Sequence, residues 1–162
     1  MTTIVRSGEG PFPNPPRVTM ELPDGWEPLS KPEVVVAGAL AEWKGFRPNV
    51  CITTERVAGV VAAEDVGRDV WETFAKSEEF EGNGHAPMTG FGGHASYGME
   101  GAFYMAEVGT IYQVCVVTVV PHGEVSDIVY AVGSTDGAKT QYIADIRTII
   151  ESAKLIEPAG EA

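Results

Sequence analysis

Residues 91–133 decide the fold and read FGGHASYGMEGAFYMAEVG, TIYQVCVVTVVPHGE and VSDIVYAVG. These are three strand-like runs, joined at Val108-Gly109-Thr110 and at Pro121-His122-Gly123, where the residue types favour turns. In the middle run, from Ile111 to Val120, both alternating faces are largely apolar. A strand that is apolar on both faces must be covered on both faces. The sequence therefore predicts a sheet with another layer above it and another below it.

Two helices are predicted to supply those layers. The segment Ala62–Ser77 carries apolar residues at helical spacing and two carboxylates in its first turn, where the helix dipole favours them. A second apolar stripe follows the N-cap candidates Ser134-Thr135-Asp136-Gly137 and runs to about Leu155. We expect the second helix to cover the face of the sheet that the first leaves open.

The first half of the chain predicts three further strands, at 17–22, 33–43 and 49–57, from alternating apolar positions bounded by turn residues. Residues 78–90 contain glycines and a proline, which predicts a loop. The fold class is therefore α+β, with an antiparallel sheet of about six strands between two helices in the order βββαβββα.

One domain is expected, because about 100–200 residues commonly form a single core and the chain has 162. Residues 1–16 are rich in proline and glycine and are predicted to be a disordered arm. Residues 17–156 form the domain, and the polar residues 157–162 are predicted to be a disordered tail.

The charge excludes some classes of partner. The formal net charge is −12, from 23 acidic and 11 basic residues, and lysine and arginine are not clustered. Nucleic-acid binding requires clustered basic residues, so it is not expected. The three histidines lack the paired spacing of a zinc site, and no metal or other cofactor is indicated.

Cysteine usage and the N-terminus bear on the compartment. Cys51 and Cys115 both fall in strand-like runs, where buried free thiols are expected, although a disulfide between neighbouring strands remains open. The first residues contain no apolar signal region, and no segment is long and apolar enough for a membrane span. We therefore expect a cytoplasmic protein without a membrane span.

A candidate site lies at the glycine-rich start of the organising stretch. His94, Ser96 and Glu100 share one side of their predicted strand, where they either line a polar groove or face solvent. The run from His94 to Gly98 approaches the nucleophile elbow G-x-S-x-G, but it lacks the first glycine and leads into a strand. No catalytic residue is assigned, and the candidate partner- or ligand-binding residues are Trp43, Phe46, His94, Ser96, Tyr97 and Glu100.

Two short motifs carry a resemblance to a known family. The turn Leu22-Pro23-Asp24-Gly25-Trp26 and the segment Phe46-Arg47-Pro48-Asn49-Val50, in this order of elements, resemble the actinobacterial LpqN/LpqT lipoproteins. That family has the PsbP-like fold, and the resemblance covers about residues 17–156. It implies binding rather than catalysis and transfers no catalytic residue. The lipoproteins have a signal peptide and a lipid-anchor cysteine, and their absence here supports the cytoplasmic expectation.

Three hypotheses about function follow. The first is a non-enzymatic binding or adaptor protein associated with the envelope or with secretion, and its narrower version is a chaperone for the apolar segment of a partner. The second is a carrier or enzyme for a small apolar ligand, with a pocket between the long strands and residues 78–90. The third is a structural subunit that forms a homodimer.

Overall fold

The computed structural model describes residues 1–10 and 13–156. Its strands and helices are, in chain order, β1 Arg17–Thr19, β2 Trp26–Pro28, β3 Val36–Leu40, β4 Asn49–Ala58, α1 Ala63–Phe74, β5 Glu81–Gly90, β6 His94–Met105, β7 Gly109–His122, β8 Val125–Asp136, α2 Thr140–Ser152 and β9 Lys154–Ile156.

Within the described residues, seven strands form one antiparallel sheet in the order β2-β3-β4-β8-β7-β6-β5. The α+β prediction of an antiparallel sheet between two helices is confirmed, with seven strands in place of about six. The three strands of residues 91–133 are β6, β7 and β8, and they pair in sequence along nearly their full lengths. The apolar β7 lies inside the sheet, with β8 on one side and β6 on the other.

The two helices lie on opposite faces and over different halves of the sheet. Helix α1 packs on β6 and β7, whereas α2 packs on β8, β7 and β4. Alternation along β7 sends Val114 and Val116 into the core beneath α2, and Cys115 and Val117 into the core beneath α1. The two faces together thus divide into four quarters. On each face, one quarter lies under a helix and the other is open.

Glycines at two positions let the helices approach the sheet closely. A Cβ on Gly67 of α1 would lie 2.3 Å from the Tyr97 side chain, and a Cβ on Gly133 of β8 would lie 2.2 Å from Ile146 Cγ2 in α2. Both glycines are buried. The close packing of each helix thus depends on a missing side chain.

The loop predicted at residues 78–90 is largely wrong, because Glu81–Gly90 is the edge strand β5. Its glycines and Pro87 have low strand propensity, but its backbone pairs with β6 from Gly90↔His94 to Glu81↔Ala102. A bulge between Gly82 and Gly84 and the proline fit an edge position. Pairing with β6 thus outweighs the local sequence preference.

Other boundaries also differ from the sequence prediction. The first strand, β1, is shorter than expected and pairs with β9 in a separate two-stranded sheet. The N-cap candidates at 134–137 do not start α2, because β8 continues to Asp136 and Lys139 is the N-cap residue. Pairing of the end of β8 with β7 favours the extended conformation there.

Cys51 and Cys115 are free thiols. Cys51 lies opposite Val132 of β8, and Val132 lies opposite Cys115 of β7, so a whole strand separates the two cysteines. Two strand spacings amount to about 10 Å, which is too far for a disulfide. Burial raises the pKa of the Cys115 thiol to about 12.

Neither helix in the described part of the chain is long and apolar enough to cross a membrane. The predicted tail, residues 157–162, lies outside the described residues, as do residues 11 and 12 of the predicted arm.

Candidate functional site

The quarter of the α2-side face that α2 leaves open forms a groove over β5 and β6. Its cavity volume is about 720 Å³, and α2 forms one wall. Its lining includes strand residues 83–90, the hairpin residues Phe91, Gly92 and Gly93, the sheet residues Gly98, Met99, Glu100, Val114, Cys115 and Val116, and Arg147, Ile150 and Glu151 from α2. We call this cavity the groove.

Small residues form the floor of the groove. The register of β5 on β6 places Ala86 opposite Gly98 and Met88 opposite Ser96, all on the α2 side. Gly84 and Gly90 occupy the same side of β5, so from Gly84 to Gly90 Met88 is the only α2-side residue with a side chain longer than a methyl group. The floor is apolar and mostly bare backbone, and Val114 and Val116 extend it toward α2.

A polar network closes one end of the groove. The Arg147 guanidinium binds the Glu100 carboxylate at 2.6 Å from Nη2 and at 3.0 and 3.1 Å from Nε. The Tyr112 hydroxyl donates to Glu100 Oε1 at 2.6 Å, and Asn83 Nδ2 donates to the Tyr112 oxygen at 2.9 Å. Burial and the bond to Glu100 raise the pKa of Tyr112, while the same carboxylate raises the pKa of Arg147. These groups are therefore held as a neutralised ion pair with a protonated phenol.

A smaller cavity of about 420 Å³ lies beyond this network on the same face. It shares Asn83 and Arg147 with the groove and is also lined by Tyr112, Thr140 and Ile143. The polar network thus separates a mainly apolar space from a smaller, more polar one.

The residues predicted on β6 divide between the two faces of the sheet. Glu100 lines the groove. Ser96 shares the α2 side but is buried and donates to the His94 carbonyl at 2.9 Å, and neither of these two residues lines the cavity. Tyr97 faces α1 instead, where its hydroxyl contacts Nδ1 of His85.

Trp43 and Phe46 lie elsewhere, on the connection between β3 and β4. The Trp43 side chain is 47% exposed, and the Arg47 guanidinium stacks 4.1 Å from its ring centroid. Arg47 also binds Glu27 Oε1 at 2.7 Å. The six predicted residues therefore do not form one site.

The opposite face of β5 is fixed to α1. The His85 ring stacks on the Trp71 ring with centroids 4.1 Å apart, and Trp71 also contacts Phe80 edge-on at 5.3 Å. These aromatic contacts hold the edge strand, and with it the floor of the groove, against the helix on the other side.

Sequence reasoning missed β5, Tyr112 and Arg147. Gly84, Ala86, Met88 and Gly90 are non-polar and alternate with His85, Pro87 and Thr89, which is a weak strand signal in a segment that otherwise resembles a loop. Nothing in the sequence pairs Arg147 with Glu100, since that contact depends on where α2 crosses the sheet. Among residues 1–10 and 13–156, no group of three or more His, Cys, Asp or Glu side chains is placed to hold a metal ion.

Comparison with solved structures supports the fold. The crystal structure of LpqN involved in cell envelope biogenesis of Mycobacterium tuberculosis matches with a TM-score of 0.76 and 14% identity, covering 90% of this chain and 86% of that one. The cyanobacterial PsbP (CyanoP) of Synechocystis sp. PCC 6803 matches with a TM-score of 0.53 and 13% identity, covering 86% of this chain and 93% of that one. The PsbP-like fold is thereby confirmed. A search of curated proteins found no match.

The family comparison corrects the cellular location. The model of the family described as probable lipoprotein LpqN matches residues 9–155. A lipoprotein family belongs to the cell envelope, so the predicted cytoplasmic location is wrong; that prediction relied on where the sequence begins, which does not report location. Neither this family nor the PsbP-like proteins are known enzymes. The predicted resemblance is confirmed, and the chain belongs to the family of the probable lipoprotein LpqN.

Proposed function

We propose that the protein is a non-enzymatic, envelope-associated binding domain that holds an apolar ligand in the groove. The observation that carries this proposal is the groove itself: about 720 Å³ of space over a floor of glycine, alanine, methionine and valine, beside a helix that leaves it open. Ligand sites are typically concave, mostly apolar and marked by a few placed polar groups. Glu100 and Arg147 are those polar groups here.

A ligand lying within the groove fits better than a peptide strand added to the edge of the sheet. β5 is an edge strand, but the bulge between Gly82 and Gly84 and the proline at position 87 interrupt its free edge. Bulges and prolines are the features by which natural edge strands avoid pairing with another chain. The floor of the groove is the α2-side face of β5 and β6, and it does not require a new strand to pair with the free edge of β5.

The test is a substitution that fills the groove from its exposed side. Ala86→Phe places a ring over the floor without touching the core, since Ala86 is exposed on the edge strand. Thr53→Phe, on the α1 side of β4, is the matched control. With N-phenylnaphthylamine as a fluorescent apolar probe, we expect Ala86→Phe to weaken binding at least about tenfold and Thr53→Phe to leave it within about twofold.

Two outcomes would contradict the proposal. One is a wild-type protein that does not bind the probe, and the other is equal weakening by both substitutions. Thermal unfolding of both variants controls for loss of structure.

A second candidate function is self-association through the connection between β3 and β4. It is supported by the exposed indole of Trp43, since exposed tryptophan is enriched at protein interfaces. Sedimentation equilibrium should then show a dimer for the wild type and for Ala86→Phe but a monomer for Trp43→Ala. A monomeric wild type would reject this candidate and leave the groove proposal intact.

A further inference from the structure

The side chain of Met88 lies across the middle of the groove floor. A Cβ built on Gly98 would be 2.5 Å from the Met88 Sδ and 3.6 Å from its Cγ, so the thioether rests directly on the bare backbone of β6. Met88 belongs to the neighbouring strand β5, where it lies opposite Ser96 of β6. The thioether therefore occupies space that a side chain at position 98 would otherwise take.

Between Gly84 and Gly90, no other β5 residue reaches the floor in this way. The other α2-side positions of this segment are Gly84, Ala86 and Gly90, which have at most a methyl group, while Asn83 lies at the polar end of the groove, bonded to Tyr112. The width of the groove at its middle is thus set by one side chain from the β5 side. On the other side the wall is α2, which is packed on the core through Ile146 and Ile149.

Met88 can move, whereas the surrounding wall cannot. Its side chain is 39% exposed and makes no hydrogen bond, and methionine is unbranched with three rotatable bonds. By contrast, Val114 and Val116 are buried in the core beneath α2. A wide apolar ligand can therefore displace the thioether, whereas it cannot displace the buried valines beside it.

Resting on the proposed function, we infer that Met88 is the specificity-determining residue of the groove. With the thioether on Gly98, the groove admits slim, unbranched apolar chains; wider, ring-containing apolar ligands require the thioether to leave the floor. Gly98 contributes to the same specificity, because only a residue without a side chain leaves room for the Met88 thioether on the floor.

Two probes of different width test this inference by direct titration and competition. N-phenylnaphthylamine is the wide probe, and dodecanol is the slim one. We expect Met88→Ala to raise the affinity for the wide probe about fivefold relative to the affinity for dodecanol. Because Met88 is exposed on an edge strand, the variant should remain folded, which thermal unfolding checks.

A double-substitution cycle that combines Gly98→Ala with Met88→Ala is the second test. The methyl group added by Gly98→Ala must push the thioether into the groove, so it should weaken binding of the wide probe about fivefold in the wild-type background. In the Met88→Ala background the same substitution should have an effect below about twofold, since only Val116 Cγ2, at 4.0 Å, remains near the new carbon.

Equal changes for the two probes, or additive effects in the cycle, would overturn the assignment of Met88 while leaving the groove as the binding site. A wild-type protein that binds neither probe would overturn the proposed function and this inference together.

Discussion

The two quarters of the sheet that no helix covers differ in what their strands present. Over β5 and β6, on the α2 side, the floor is glycine, alanine and methionine and forms the groove. Over β4 and β8, on the α1 side, the surface carries Thr53, Glu55, Tyr130 and Val132; we call this the opposite quarter. Its Tyr130 hydroxyl donates to Glu55 at 2.9 Å.

This difference indicates which of the two open surfaces binds a ligand. In the opposite quarter the Tyr130 hydroxyl is paired with the Glu55 carboxylate, and polar groups at an open surface can bind water, so an open position costs little there. The floor of the groove has no such groups until Glu100, at its polar end. An apolar surface that is left open on a folded domain is commonly a binding site.

The largest expected effect is a loss of stability when a methyl group is added beneath a helix, compared with the same addition in the open groove. Gly133→Ala places a methyl group 2.2 Å from Ile146 Cγ2 and 3.3 Å from Val50 Cγ2, both in the core, and should cost about 2–3 kcal/mol in the free energy of unfolding. Gly98→Ala meets only the movable thioether and should cost less than about 1 kcal/mol. Urea denaturation measures both. Equal costs would mean that the groove floor is as tightly packed as the core beneath α2.

A smaller effect is expected on the pH dependence of stability. It concerns two tyrosines that donate to carboxylates, Tyr112 at the polar end of the groove and Tyr130 in the opposite quarter. Burial, followed by the bond to Glu55, raises the pKa of Tyr130 from 10.0 to about 12. Between these pH values the folded state keeps a proton that the unfolded state loses, so stability falls as pH rises; below that window the contribution is complete. Tyr130→Phe should therefore make the loss of stability between pH 10 and 12 shallower.

The pKa of Tyr112 is also raised, by burial and then by its bond to Glu100, so Tyr112→Phe should act in the same direction. Denaturation at stepped alkaline pH is the measurement. An unchanged slope in Tyr130→Phe would show that its phenol ionises alike in the folded and unfolded states.

The sequence predicts the parts of the fold that depend on periodic apolar patterns. The apolar faces of residues 111–120 correctly required two covering layers, and the stripes of α1 and α2 correctly placed them. β5 was missed because three of its residues from 81 to 89 are glycine or proline, and its strand form depends on pairing with β6 and on the Trp71–His85 stack.

The site was less predictable than the fold. Strand alternation correctly put His94, Ser96 and Glu100 on one side, but it cannot show which part of that side α2 covers. Ser96 is buried, whereas Glu100 meets an arginine 47 residues away in sequence. The groove exists because α2 lies off-centre, over β8, β7 and β4, where Gly133 leaves room for Ile146.

The most direct test of the groove as the binding site is an amide proton–nitrogen correlation spectrum recorded during titration with dodecanol. Glycine amides report on both regions, because Gly84, Gly90 and Gly98 line the groove while none lies in the opposite quarter. We expect these three amides to shift progressively and saturably, and the amides of Thr53 and Tyr130 to stay in place. Shifts confined to Thr53 and Tyr130, or no shifts at all, would contradict the account.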